Sequence, residues 1–231
     1  MVIDKTVRTA AEAVAGVRDG ATVLISGFGE SGVPFGLVSA LLDSGVRDLT
    51  IVANNAGHGD DGIAALLREG RIRKMVCSYP RSASCGWFER CFKEGSVELE
   101  LVPQGTLSER IRAGGAGIAG FYVRTGVGTA LTAGKEHRTL EAGECVLELP
   151  LRGDAALIRA RFADRWGNLT YSRAARNYAP TMATASSMTV VEVDAVLELG
   201  DLDPETVITP GIYVDRVWSR RESVCGALGP A

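Results

Sequence analysis

Three stretches of the chain carry residue types that can bind or stabilise negative charge. Gly27-Phe28-Gly29-Glu30-Ser31-Gly32 follows the apolar run Thr22-Val-Leu-Ile25 and spells Gly-x-Gly-x-x-Gly. A glycine-rich loop between a strand and the helix that opens at Pro34 exposes amide N–H groups and a positive helix end to an anion such as a pyrophosphate. Asn54-Asn55-Ala56-Gly57 follows a second apolar run, and two adjacent carboxamides can hold an oxyanion. Gln104-Gly105-Thr106 follows a third, and Gly114-Gly115-Ala116-Gly117 comes after the short helix that begins near Thr106, where backbone can pass very close to a ligand. Each stretch also reads as turn-forming or tight-packing sequence, so no one of them decides a function alone.

Other chemistries find less support. A dinucleotide fold wants an acidic residue at the end of the second strand for the ribose, and Val52-Ala53-Asn54-Asn55 offers none. His58 and His137 are too few for a metal cluster, and neither stands in a Gly-x-Ser-x-Gly or Cys/His arrangement, so no metal site and no catalytic triad is expected. His137, between Glu136 and Arg138, reads as a solvated strand residue, whereas His58 directly follows the Asn-Asn-Ala-Gly loop and stays a candidate contact. Cys77, Cys85, Cys91, Cys145 and Cys225 are odd in number without a Cys-x-x-Cys pair, which argues against a disulfide framework or a zinc site.

The elements that must position these loops read as strand, loop, helix. Thr6 to Val17 has the pattern of a capped helix ending at Asp19-Gly20. Thr22–Ile25 and Leu49–Val52 are short apolar runs without alternation, as strands buried on both faces of a parallel sheet are. Pro34 with Leu37, Val38, Leu41 and Leu42 gives a helix closed by Gly45, and Ile63 to Glu69 gives another closed by Gly70. Ile72 to Cys77 is a strand, Ser84 to Lys93 has helical spacing, and Val97 to Val102 alternates like an edge strand. Further on, Lys135 to Leu140 and Cys145 to Leu149 can pair as a hairpin around Glu141-Ala142-Gly143, while Ala156 to Phe162 and Met188 to Val193 read as strands. The expectation is an α/β fold, an open and mainly parallel sheet flanked by helices with a β-hairpin insertion. No linker breaks the chain, so one domain over residues 1–231 is expected, with a frayed tail over about 218–231.

Composition narrows the function classes. Lys and Arg number 25 against 28 Asp and Glu, a net charge of −3, which leaves no electrostatic footprint for nucleic acid or anionic lipid. The longest uncharged stretch, Ala113 to Val123, is about half of the roughly 20 residues a bilayer requires, and the polar N-terminus lacks a signal-peptide core. A cytoplasmic protein is expected. Glycine is the anomaly: 28 of 231 residues, concentrated at the junctions between segments, so backbone conformation is where function is to be sought.

Taken as a set, the motifs resemble the alpha subunit of the family I CoA-transferases, from about Ala11 to Val217. The resemblance is carried by Asp19-Gly20 through Val33-Pro34, Asn54-Asn55-Ala56-Gly57, Pro103-Gln104-Gly105-Thr106-Leu107 through Gly117, Ala163-Asp164-Arg165 with Gly167-Asn168-Leu169, Ala175-Arg176-Asn177, and Thr209-Pro210-Gly211-Ile212. It implies coenzyme A as a substrate rather than a resident cofactor, with Ser26, Gly27, Phe28, Gly29, Glu30, Ser31 and Gly32 as its loop; the family commonly has Gly where this chain has Ser26. Moving CoA between two carboxylic acids calls for a carboxylate nucleophile, which forms an acyl anhydride and then a glutamyl-CoA thioester. In the family that glutamate lies in a Ser-Glu-Asn-Gly segment of the beta subunit, a segment this chain does not contain; Glu109 belongs to a different motif. The resemblance therefore implies no catalytic nucleophile here, a CoA-transferase beta subunit as partner in a hetero-oligomer, and oxyanion support from Asn54, Asn55 and Gln104.

Asn54 through Asp60, Cys77 through Arg81 and Ala163 through Tyr171 look most like the branch of the family that takes succinyl-CoA and 3-oxoadipate, with an acetoacetate-using branch as the alternative. Arg81 is then a candidate cation for a distal carboxylate, with His58 nearby. From a different class, a ligand-sensing domain of related fold that binds without a partner is the competing reading.

Overall fold

A computed structural model of the chain describes residues 3–81 and 86–220. The segment expected to be one helix over Thr6 to Val17 divides. Thr6–Val7 is a short strand, β1, and Ala10–Val14 is helix α1, capped by Thr9, whose hydroxyl oxygen accepts from the Glu12 amide. Val7 pairs in parallel with Trp218, and that sheet contact overrides the helix pattern.

Strands β2 (Thr22–Ile25), β3 (Leu49–Val52), β4 (Ile72–Cys77) and β5 (Glu98–Leu101) then alternate with α2 (Phe35–Asp43), α3 (Ile63–Arg68), α4 (Trp87–Lys93) and α5 (Gln104–Ala116). The start expected for α4 at Ser84, with Cys85, lies outside the described residues. Next come β6 (Phe121–Val123), β7 (His137–Leu140) and β8 (Gly143–Glu148), a small antiparallel sheet. Leu140 pairs with Gly143 across Glu141-Ala142, the expected hairpin; β6 adds a third strand to it.

The run Ala156 to Phe162 is two strands rather than one. β9 (Gly153–Arg159) lies in the main sheet, while β10 (Phe162–Asp164) joins β11 (Leu169–Thr170) and β13 (Ala195–Leu197) in a second small sheet. The break falls at Ala160-Arg161, where the Arg161 amide turns to the Thr170 carbonyl. Helix α6 (Ala179–Thr184) leads into β12 (Ser186–Val193), and β14 (Arg216–Ser219) follows. Trp218 and Ser219, expected to fray, instead pair with Glu192 and Val193; residues 221–231 lie outside the described residues.

The main sheet has eight strands in the order β1-β14-β12-β9-β2-β3-β4-β5, every neighbouring pair parallel. Side chains alternate between two cores. Val23, Ile25 and Ile51 face α1 to α4, packing with Leu37, Leu41, Leu66 and Phe88, whereas Leu24, Val52 and Ile158 face α5 and α6, with Leu107, Ile111 and Met182. Lone apolar runs without alternation follow from that double burial.

Gly114 and Gly115 are helix interior, not the ligand-facing loop expected of them. A Cβ on Gly114 would strike the Leu151 carbonyl, and one on Gly115 would strike the Thr184 side chain at the contact between α5 and α6. Their smallness serves helix packing, and Gly117 ends the helix in the left-handed conformation at φ 71°. Among the described residues no helix is long and apolar enough to cross a membrane.

Candidate active site

The sheet order sets the site. The chain runs outward from β2 through β3 and β4 to β5, then returns so that β9 lies on the other side of β2. Loops leaving β2 and β9 diverge there, and such a reversal opens a crevice at the carboxyl ends of the strands. Because β2, β3, β4 and β5 are neighbours, the glycine loop, Asn54-Asn55, Ser78-Tyr79 and Gln104 stand side by side.

The glycine loop is a tight finger. Phe28 and Ser31 exchange backbone hydrogen bonds at 3.0 and 3.2 Å, putting Gly29-Glu30 at the tip, and Gly29 has φ 60°. Ser26, at its root, is buried: its hydroxyl donates to the Gly32 carbonyl at 2.7 Å and accepts from the Arg159 amide at 3.0 Å. That side chain braces the finger onto β9 from within. Glu30 and Ser31 are exposed, and Phe28 is half exposed, its ring on the rim of a cavity of about 310 Å³.

That cavity is lined by Phe28, Gln104, Gly105, Ser108, Asn177 and Tyr178. Gln104 and Gly105 open the 13-residue helix α5, whose first turn carries no acid. Its unpaired amides and positive end therefore face the cavity. The corresponding expectation for α2 is corrected. Glu192, fully buried on β12, accepts from the Leu37 amide at 3.1 Å and also from Gly36, so the start of α2 is filled by the chain's own carboxylate. Burial pushes the Glu192 carboxyl up, while Arg159 at 3.0 Å and Arg220 at 3.3 Å oppose that shift. An anion arriving there would meet an occupied helix end.

Asn54 and Asn55 are buried at 6% and 7% exposure. Asn55 closes its own turn, its Oδ1 accepting from the Gly57 amide at 2.9 Å, and its Nδ2 reaches the Gly29 carbonyl at 3.5 Å. The Asn54 carbonyl accepts from the amides of Ser78 and Tyr79, while its Oδ1 accepts from the Ser78 hydroxyl at 3.0 Å and the Tyr178 hydroxyl at 3.2 Å. Burial pushes the Tyr178 phenol up, so it stays protonated and able to donate.

His58 is half-buried just beyond the Asn55 turn, and Arg81 is 79% exposed, 4.0 Å from Glu89. Neither lines the cavity. The thiol of Cys77, buried at the end of β4, is pushed up to about 12 by desolvation, which removes it as a nucleophile. Among the described residues no cluster of His, Cys, Asp and Glu could hold a metal ion.

Two residues that local pattern did not assign to the site hold it together. Asn177 sits at φ 28°, ψ −121°, a region non-glycine residues seldom adopt. Its Oδ1 accepts from the Gly27 amide at 3.0 Å and its Nδ2 donates to the Ser31 carbonyl at 3.1 Å, gripping the finger at both ends. Tyr178, the next residue, grips Asn54. The stretch Ala175-Arg176-Asn177 stands out in the sequence, but no local pattern brings position 177 to a loop 150 residues earlier.

Comparisons with known proteins agree with one another. The coenzyme A transferase family model matches residues 7–220. The alpha subunit of the 3-oxoadipate CoA-transferase of Pseudomonas putida is 52% identical over 216 residues, covering 94% of each chain. Its namesake from Acinetobacter baylyi is 48% identical, covering 94% of this chain and 95% of that one. In fold, the apoenzyme of the acyl-CoA transferase of Escherichia coli O157:H7 superposes with a TM-score of 0.82 at 22% identity over 95% of this chain. The present chain spans about half of that enzyme's length, 47%.

Proposed function

The chain belongs to the coenzyme A transferase family, and from that premise we propose that it is the alpha subunit of a heteromeric enzyme that moves CoA from succinyl-CoA to 3-oxoadipate in the cytoplasm. One observation carries the reading at the level of the site: the described residues lining the cavity present amide, hydroxyl and aromatic groups but no carboxylate. Glu109, one residue past Ser108, is paired with Arg112 at 2.8 Å. A CoA transfer that retains the thioester's energy needs a carboxylate to attack, so in this reading the attacking glutamate comes from the partner.

The steps then divide between two chains. The partner's carboxylate attacks the thioester carbonyl of succinyl-CoA; the C–S bond breaks, an acyl anhydride forms and CoA leaves as thiolate. The thiolate attacks the glutamyl carbonyl of the anhydride, releasing succinate and leaving a glutamyl-CoA thioester. The second acid runs the sequence in reverse. Each attack puts negative charge on a carbonyl oxygen, and this chain's part is to meet that charge with the Asn54 and Gln104 carboxamides and the amides at the head of α5. The finger from Gly27 to Gly32 holds CoA, with the Phe28 ring as an apolar rest. Arg81 enters as the cation for the distal carboxylate of a dicarboxylic oxo acid.

CoA exchange between succinyl-CoA and 3-oxoadipate, run with the chain alone and co-expressed with a partner carrying Ser-Glu-Asn-Gly, tests the reading. Activity is expected only from the pair, and in the pair Arg81→Ala is expected to lower kcat/KM for 3-oxoadipate relative to acetoacetate. Exchange by the isolated chain would place the nucleophile here, ligand binding without exchange by either sample would favour a sensing domain, and an unchanged substrate ratio would remove Arg81.

A further inference from the structure

A carboxamide can stabilise an oxyanion only if its nitrogen, not its oxygen, faces the charge, and the two orientations differ by a half-turn about χ2. The surroundings of Asn54 choose between them. Two hydroxyls from different parts of the chain, Ser78 Oγ at 3.0 Å and Tyr178 OH at 3.2 Å, converge on Oδ1, using both of its lone pairs. Ser78 Oγ also lies 3.1 Å from the Asn54 main-chain carbonyl, which ties the hydroxyl to that spot. A phenol is a better donor than acceptor, and at Tyr178 burial keeps the proton on. Among the described residues Asn54 Nδ2 has no acceptor. Tyr178 itself is 6% exposed and cannot swing away without opening the core around α6.

We infer that Tyr178 and Ser78 are positioning residues that hold the Asn54 carboxamide with its oxygen inward, so that its N–H donors face the cavity. This rests on the proposed role of Asn54 and extends it to two side chains outside the glycine and asparagine motifs. The same arrangement couples the two loops of the site: Asn177 holds the glycine finger, and Tyr178, bonded through its amide to Asn177 Oδ1 at 2.7 Å, fixes the donor. Order in one loop is transmitted to the other through a single dipeptide.

The test is a double-mutant cycle on the co-expressed complex, measuring kcat and the KM for succinyl-CoA with Tyr178→Phe, Ser78→Ala and Asn54→Ala, singly and combined. Tyr178→Phe keeps the ring and is expected to lower kcat about tenfold with KM little changed, the loss of one hydrogen bond's worth of orientation. Removing both hydroxyls is expected to lower kcat further, towards the Asn54→Ala value. In the Asn54→Ala background neither hydroxyl should matter, because nothing is left to orient. If Asn54→Ala leaves kcat within about twofold, the donor role of Asn54 fails and the inference with it. If Asn54→Ala costs activity but Tyr178→Phe and Ser78→Ala cost the same with or without Asn54, the hydroxyls act elsewhere and this inference alone falls. Thermal melts of each complex separate a folding defect, which would lower the amount of active enzyme and not its kcat per intact complex.

Discussion

Two glycines of the finger illustrate what a residue type is there to do. Gly29 has φ 60° with open space where a Cβ would be, so its substitution by alanine meets only the left-handed backbone, about 1 kcal/mol. Gly32 has φ 77°, and a Cβ there would collide with the Ala175 carbonyl and the Asn177 carboxamide, the clamp itself. Gly32→Ala is therefore expected to destabilise the chain by roughly 1–3 kcal/mol more than Gly29→Ala and to raise the KM for succinyl-CoA in the complex. Urea melts and initial rates check this; equal costs at the two positions would mean that Asn177 does not hold the finger. The glycines, Asn54, Asn55 and Gln104 were legible because turn-forming and donor residues cluster at strand ends. Ser26 was legible in position but not in role, since only the fold turns its hydroxyl to Gly32 and Arg159. Asn177 and Tyr178 were not legible as site residues, because their partners lie 150 and 124 residues away.

Among the elements, α5 matters most to the site because it carries Gln104, and it is pinned by charge. Arg110 on α5 and Lys74 on β4 meet Glu100 on β5 at 2.7 and 2.6 Å. Burial pushes the Glu100 carboxyl up, but hydrogen bonds from Lys74 and Arg110 outweigh it and leave the carboxyl below the ordinary 4.5. A folded value below the unfolded one means that unfolding takes up a proton, so this contribution is present above 4.5 and is lost as the pH falls through the folded value. Glu100→Gln is expected to be less stable than the unsubstituted chain at about pH 6, with the gap narrowing as the pH drops below 4.5. A gap independent of pH would show that the ion pairs do not hold the helix. Strands with both faces buried were the easiest elements to read, since Thr22–Ile25 and Leu49–Val52 leave apolar sequence no other place. The errors came where tertiary pairing overruled local pattern: Thr6-Val7 drawn into the sheet edge by β14, and Gly114-Gly115 drawn into a helix by close packing on α6.

At the scale of the whole molecule, alternating strands and helices predicted a parallel sheet, but not its order. That order, with β9 returning beside β2, is what brings residues 27–32, 54, 78, 104 and 178 to one crevice. It also explains why half an enzyme can hold so much of an active site: the scaffold gathers donors, and the group that must be ionised and attacking can arrive from another chain. The α2 terminus shows the same economy in reverse, sealed by Glu192 and so unavailable to substrate.

The most direct measurement of where the nucleophile resides is the intact mass of both chains once the co-expressed complex has been incubated with succinyl-CoA without an acceptor acid. A CoA adduct on the partner, with this chain unmodified, is the predicted result. A CoA adduct on this chain would contradict it, because the nucleophile would then be one of its own carboxylates.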